Sequence, residues 1–204
     1  MKMRLDHLAV AAERLNAAVV HVEAALGVKM GPGGHHARFG THNQLLGLED
    51  ELYLEAIAVD PQAKAPPDAR WFDLDRFAGP PRLANWICRV ADLDAALAVL
   101  PGAGRAVDLA RGDLRWRMAV PRDGILPFDG MFPALIEWQV AVLPGQTLPG
   151  SGCRLRKLDL CHPRAEALAE LLAPFLEDER VVFREGDAEM RALFDTANGQ
   201  RVLT

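Results

Sequence analysis

The chain has 204 residues, half of them hydrophobic and a quarter charged, with a formal net charge of −5. That is enough chain to bury a sizeable core, while the acidic balance argues against general nucleic-acid binding, which favours a basic face. No apolar run approaches the roughly 20 residues needed to span a bilayer, and the opening MKMRLDHLAV is too short and soon too polar for a secretory signal, so a cytoplasmic protein with no membrane partner is expected.

Taken in chain order, RLDHLAV reads as a strand. It leads into AERLNAAVVHVEAALG, where Leu15, Ala18, Val19, Val22, Ala25 and Leu26 fall on one helical face and Gly27 supplies a stop. A weak strand is predicted near Val28–Gly31, followed by a loop rich in Gly and His that carries His35 and His36. GTHNQLLG and YLEAIAV then read as two strands joined by an acidic turn at Glu49–Glu51. Residues 60–81 are rich in Pro and polar side chains, a linker with one helical turn around Trp71–Phe77 that wraps a surface or covers a site.

The pattern then returns. LANWICRV is a strand and DLDAALAVL an amphipathic helix with Asp92 as its N-cap and Pro101-Gly102 at its end. RAVDLA, DLRWRMAV and PALIEWQVAV are three further strands. A third, shorter copy runs from CRLRKLDLCHP through a helix from Pro163 to about Phe175 and on to RVVFREG, MRALFDT and QRVLT. The chain therefore reads as α+β, a tandem of βαβββ modules over residues 1–60, 83–143 and 153–204 with a linker at 61–82, integrated as one domain. The three cysteines, Cys88, Cys153 and Cys161, lack metal-knuckle spacing and read as reduced thiols.

Glu55 stands inside an apolar strand, where a charge is costly unless it is paired. The Glu of LIEW, Glu137, falls at the matching place in the second module, and superposing the helices sets Asn85 on His7. With LDHLAV opening the chain, GTHN before YLEAIA, then RGDLRWR and LPF…PALIEW, the sequence resembles the vicinal oxygen chelate superfamily, which groups glyoxalases, bleomycin-resistance proteins and extradiol dioxygenases, and within it the glyoxalase-like domain proteins.

The resemblance implies two modules curling into a half-barrel cup, the third extending it or supporting a homodimer. It implies metal ligands on the first and last strands of each module: His7, Glu55 and Glu137, for a divalent Zn, Ni, Mn or Fe ion, with Asn85 at the fourth place as a substrate-contacting amide. Glu137 or Glu55 would then serve as a catalytic base. His42, Arg115, Arg117, Trp138 and Phe128 are candidate substrate contacts. The implied activity is a metal-dependent lyase or isomerase acting on a small oxygenated, anionic substrate; the alternative is a metal-free protein that binds a small molecule among Trp86, Trp138, Phe128 and Phe132.

Each residue also has a plainer reading. His7 could be a core histidine, Glu55 could pair with Arg117, Glu137 could be a half-exposed strand residue, and His42 could cap the bend after Gly40. In DLRWRMAV, Arg115 and Arg117 share one strand face and Trp116 and Met118 the other. The arginines therefore face either the cup or solvent.

Overall fold

The computed structural model describes all residues from 1 to 204. Its larger layer is one eight-stranded sheet built from two successive modules. The first comprises β1 (Arg4–Ala11), α1 (Leu15–Leu26), β2 (Gly31–His36), β3 (Thr41–Gly47) and β4 (Tyr53–Val59). The second comprises β5 (Arg82–Arg89), α2 (Leu93–Val99), β6 (Arg105–Arg111), β7 (Leu114–Val120) and β8 (Ala134–Trp138). The strand order β2-β3-β4-β1-β5-β8-β7-β6 is symmetric about the antiparallel β1–β5 seam, and the last strand of each module runs parallel to its first. The sheet curls into a half-barrel.

After a short helix α3 (Pro144–Thr147), the third module forms a separate four-stranded sheet. It contains β9 (Arg154–Cys161), α4 (Ala165–Leu172), β10 (Val181–Arg184), β11 (Glu189–Thr196) and β12 (Gly199–Leu203), in the order β10-β9-β11-β12. Backbone bonds between Met3 and both Phe175 and Glu177 tie this unit to the start of β1. The edge of the Phe183 ring meets the buried Trp86 of β5. A single cluster of buried apolar side chains runs through both sheets, so the third module shares the core of the first two. No helix is long and apolar enough to cross a membrane.

Local chemistry sets the boundaries. Helix α1 buries Ala18, Val19, Val22 and Leu26, and it stops where Gly27 turns left-handed (φ +74°) and donates its N–H to the Glu23 carbonyl. Asp92 caps α2 by accepting from the Ala95 N–H at 2.9 Å. The α4 helix starts later than Pro163 because His162 holds the turn instead: its Nδ1 accepts from the Arg164 N–H and its carbonyl from the Ala165 N–H.

The expectation for residues 28–36 needs correction. The strand is the glycine- and histidine-rich stretch itself, and not Val28–Gly31. Gly33 and Gly34 make this segment a poor strand former by propensity, yet they permit close approach. A Cβ on Gly33 would lie 1.9 Å from the Asn43 carbonyl oxygen, and one on Gly34 would run into the Arg111 side chain. Tertiary fit overrides propensity here.

Gly104 joins the turn after α2 to β6 with φ +110°, and a Cβ there would lie 2.2 Å from the Val120 carbonyl carbon. The variant Gly104→Ala is expected to lose about 1–3 kcal/mol or more, read as a shift in the urea midpoint with unchanged slope.

Candidate functional site

The concave face of the half-barrel holds a buried polar cluster built mainly by the first module. The β1–β5 register skips a residue between Leu5 and His7, and this bulge breaks the strict alternation of β1. Asp6 and His7 can then meet as neighbours: the Asp6 carboxylate accepts from His7 Nδ1 at 2.7 Å. The other Asp6 oxygen accepts from Trp138 Nε1 at 3.0 Å. With Nδ1 committed, His7 Nε2 faces Glu55 Oε2 at 3.7 Å, and the Tyr53 ring stacks on the imidazole at 4.3 Å.

Asp6, His7 and Glu55 are all buried. One imidazole therefore lies between two carboxylates away from bulk water. Burial pushes the Glu55 carboxyl above the ordinary carboxylate range, against the pull of His7, of the Asn43 amide and of Arg111.

A second line of contacts runs from Glu55 across the cup. Asn43 Nδ2 donates to Glu55 Oε1 at 2.5 Å, while Asn43 Oδ1 accepts from the Gly34 N–H at 2.7 Å and from Arg111 at 3.3 Å. Arg111 ends β6, one edge of the sheet, and Gly34 lies on β2, the other edge; the guanidinium thus spans the mouth of the half-barrel. His36 completes the cluster, with Nδ1 on the Thr41 hydroxyl at 3.1 Å and its ring against the edges of Trp71 and Trp116. Its pKa is lowered to about 3, first by burial and then by the Arg111 charge.

Trp71 and Phe72, from a short 3-10 turn in the linker, close the cup as a stacked pair, and Phe72 holds a left-handed backbone (φ +60°) to do so. The remaining space is about 40 Å³, room for roughly three water-sized centres.

Of the residues expected at the site, His7, Glu55 and Trp138 line this cup. The others lie elsewhere. Glu137 is on the opposite face of β8, where it accepts from the Leu93 N–H at the start of α2 at 2.7 Å and lies 3.5 Å from Arg117. The reason is register. His7 and Asn85 are equivalent across the β1–β5 seam, and the strand paired beside each sets Glu55 opposite Ala9 but Ala134 opposite Ile87. The second-module counterpart of Glu55 is therefore Ala134, and an offset of three residues puts Glu137 on the other side of the sheet.

Asn85 borders a separate, larger groove of about 750 Å³ beside the linker, with its buried Oδ1 unpaired. Phe72 contributes to the walls of both spaces. Arg117 is held outside by a two-pronged pair with Asp94, and Arg115 by the Gly112 and Leu114 carbonyls. Phe128 packs on His162 and under Arg164, away from the cup. Trp86 and Phe132 are core side chains. His42 pairs across the ladder with His35, on the face opposite His36 and Asn43. There the donor atoms of His35, His42 and Asp60 lie within 4.8 Å of one another, a group able to hold a divalent ion.

The three-residue metal set implied by the resemblance therefore does not converge: His7 and Glu55 meet but Glu137 faces away, and Asn85, expected as a substrate contact, opens on another space. Sequence reading missed Asp6, Asn43 and Arg111, left His36 on a loop, and had Trp71 only as part of a linker expected to wrap a surface or cover a site. A signal was present for Asp6, a charge within an apolar strand.

The family model described as a glyoxalase-like domain matches residues 5–176. The chain belongs to the glyoxalase-like domain family, within the vicinal oxygen chelate superfamily. None of the curated proteins matches it. Among solved structures, a hypothetical protein from Staphylococcus aureus is 13% identical, with 98% of this chain and 84% of that one covered at a TM-score of 0.56. Methylmalonyl-CoA epimerase from Mycobacterium tuberculosis is 22% identical (68% and 88% covered, TM-score 0.43). The Streptomyces coelicolor epimerase, solved with 2-nitronate-propionyl-CoA, is 16% identical (70% and 98% covered, TM-score 0.45). These likenesses concern the fold of this glyoxalase-like protein; its chemistry has to be argued from the cup.

Proposed function

We propose that this glyoxalase-like protein is a lyase or isomerase that moves a proton on a small oxygenated, anionic substrate, with Glu55 and His7 as the acid–base pair. The observation that carries this reading is the buried imidazole between Asp6 and Glu55, facing the small space of the cup. Asp6 accepts from Nδ1 and so leaves Nε2 to share a proton with Glu55. A carboxyl whose affinity for protons is raised by burial is suited to abstract one beside a carbonyl and return it.

In the proposed step the substrate C–H bond breaks and its proton passes to Glu55 Oε2. The electron pair moves onto the adjacent carbonyl oxygen as an enolate. Return of the proton at a different carbon gives isomerisation; loss of a leaving group from the enolate gives elimination. Arg111 supplies the positive charge for a substrate carboxylate or the enolate oxygen. The donors implied for a metal do not meet in the cup, and the step uses side chains only.

A second reading is favoured by the aromatic wall of Trp71, Trp116 and Trp138: a metal-free protein that binds its small molecule without altering it. The two are separated by solvent deuterium exchange, followed by NMR, into a panel of small 2-oxo acids, hydroxyketones and their esters. Exchange by wild type with at least one class, absent in His7→Gln, supports proton transfer. Saturable binding without exchange supports the second reading. A homodimer, with the third module at its interface, is a further expectation that sedimentation of the intact chain would test.

A further inference from the structure

Outside the cup, on the other face of the β2–β3 ladder, lies a second set of donors that the acid–base reading does not use. The register pairs His35 with His42, so the two imidazoles stand side by side with ring centroids 5.9 Å apart. Asp60, one residue past the end of β4, reaches the same point. Its Oδ2 accepts from His35 Nδ1 at 2.7 Å.

The carboxylate is held in place before any ligand arrives. Oδ1 accepts from the Gln62 N–H at 2.9 Å, the Asp60 N–H donates to the Gly40 carbonyl, and its own carbonyl accepts from the Ala63 N–H. The Asp60 side chain is largely buried, whereas that of His35 is 73% exposed and free to turn. Two imidazoles and one fixed carboxylate, from three adjoining segments, make the donor set that divalent transition metals prefer.

We propose that His35, His42 and Asp60 form a divalent transition-metal site, of the kind Zn²⁺ fills, that clips the edge strand β2 to β3 and to the end of β4. In a tetrahedral shell with bonds of roughly 2.0–2.1 Å, ligand atoms stand about 3.3 Å apart. The three donors here all lie within 4.8 Å, and binding would exchange the His35–Asp60 hydrogen bond for two bonds to the ion, with the imidazoles turning to bring the donors to that spacing. Water fills the remaining position.

The clip answers a weakness in the fold. Strand β2 reads GPGGHH, has only β3 beside it, and breaks register at Pro32. Nothing in its own propensity holds it extended. Yet it carries Gly34, which Arg111 covers, and His36, which packs in the cup. An ion on its outer face would fix the rim that the inner face needs.

The test uses the full chain, prepared without a metal-affinity tag, titrated with Zn²⁺ by calorimetry and with Co²⁺ by visible absorption. Wild type is expected to bind one ion per chain, with Co²⁺ showing the bands of a low-coordinate nitrogen–oxygen site. His42→Gln and Asp60→Asn should each weaken binding at least the roughly tenfold that even an outer-shell change costs, with far-UV circular dichroism unchanged. Zn²⁺ should also slow hydrogen exchange of the β2 amides in wild type and not in Asp60→Asn. Glu55→Gln should leave the Zn²⁺ affinity as it was. Equal affinity in all variants, or a loss only in Glu55→Gln, which would move the ion to the cup, overturns the proposal, as does binding that leaves β2 exchange unchanged.

Discussion

Glu55→Gln is expected to reduce proton transfer by roughly 10²–10⁴-fold, the usual contribution of a positioned acid–base group, and to leave the fold at least as stable as wild type near neutral pH. The amide keeps the shape of the side chain, and its oxygen can still accept from Asn43 Nδ2, so the partner across the cup is not orphaned. What is removed is the group proposed to take the proton.

The stability half of this result follows from linkage. Burial raises the Glu55 carboxyl above its unfolded value. The folded state then holds a proton over a range where the unfolded state has released it. The group's stabilising contribution is complete below the unfolded value of 4.5 and is lost as pH rises through the raised folded value. Gln does not titrate, so the variant should lack this decline. Urea midpoints for both proteins at pH 5 and pH 8, beside exchange rates in deuterated water, measure the two halves together. Lost stability with retained exchange would make Glu55 a structural ion-pair partner and not a base.

His36→Phe is expected to flatten the acid side of the stability profile. The folded ring resists protonation until about pH 3, whereas the unfolded ring titrates near 6.5. Stability linked to His36 is therefore present above pH 6.5 and lost as pH falls from 6.5 towards 3. At 1.36 kcal/mol per unit, the full loss is about 4–5 kcal/mol, a large share of a typical domain's stability. Burial is the first cause and the Arg111 charge the second, with smaller repulsions from His7, His35 and His42. Phenylalanine keeps the edge contacts to Trp71 and Trp116 while giving up the Thr41 hydrogen bond. The variant should begin less stable at pH 8 and overtake wild type on acidification. Parallel curves would show that His36 takes up its proton as readily in the fold as in the unfolded chain.

Much of the architecture was legible because its signals are local and repeated. The α1 stripe ending at Gly27, the Asp92 cap and the recurring strand–helix–strands pattern each depend on residues close in sequence. What failed depended on register. Aligning YLEA with LIEW by their shared glutamate ignores the pairing that puts Ala134 opposite Ile87, and sequence carries no mark of a three-residue offset. The bulge at Asp6 is hidden for the same reason, although a charge within LDHLAV was visible. Strand β2 was misplaced because propensity argues against glycine in strands, and the partners that accept it, Asn43 and Arg111, come from distant positions. The companionship of His35, His42 and Asp60 likewise follows from ladder pairing alone.

The register offset has a consequence for what the cup can hold. The two modules repeat one arrangement of strands and divide the lining of the cup between them. Strands of the first module supply His7, His36, Asn43 and Glu55 beside Leu45 and Tyr53, while those of the second supply Leu114, Trp116, Met118, Ile136 and Trp138, with Arg111 as the one charged exception. A guest in this space must itself be two-sided. Its oxygens would turn towards the polar half and its hydrocarbon would rest on the other, so mirror-image guests would meet different walls, and the unequal halves would translate into handedness in the choice of ligand.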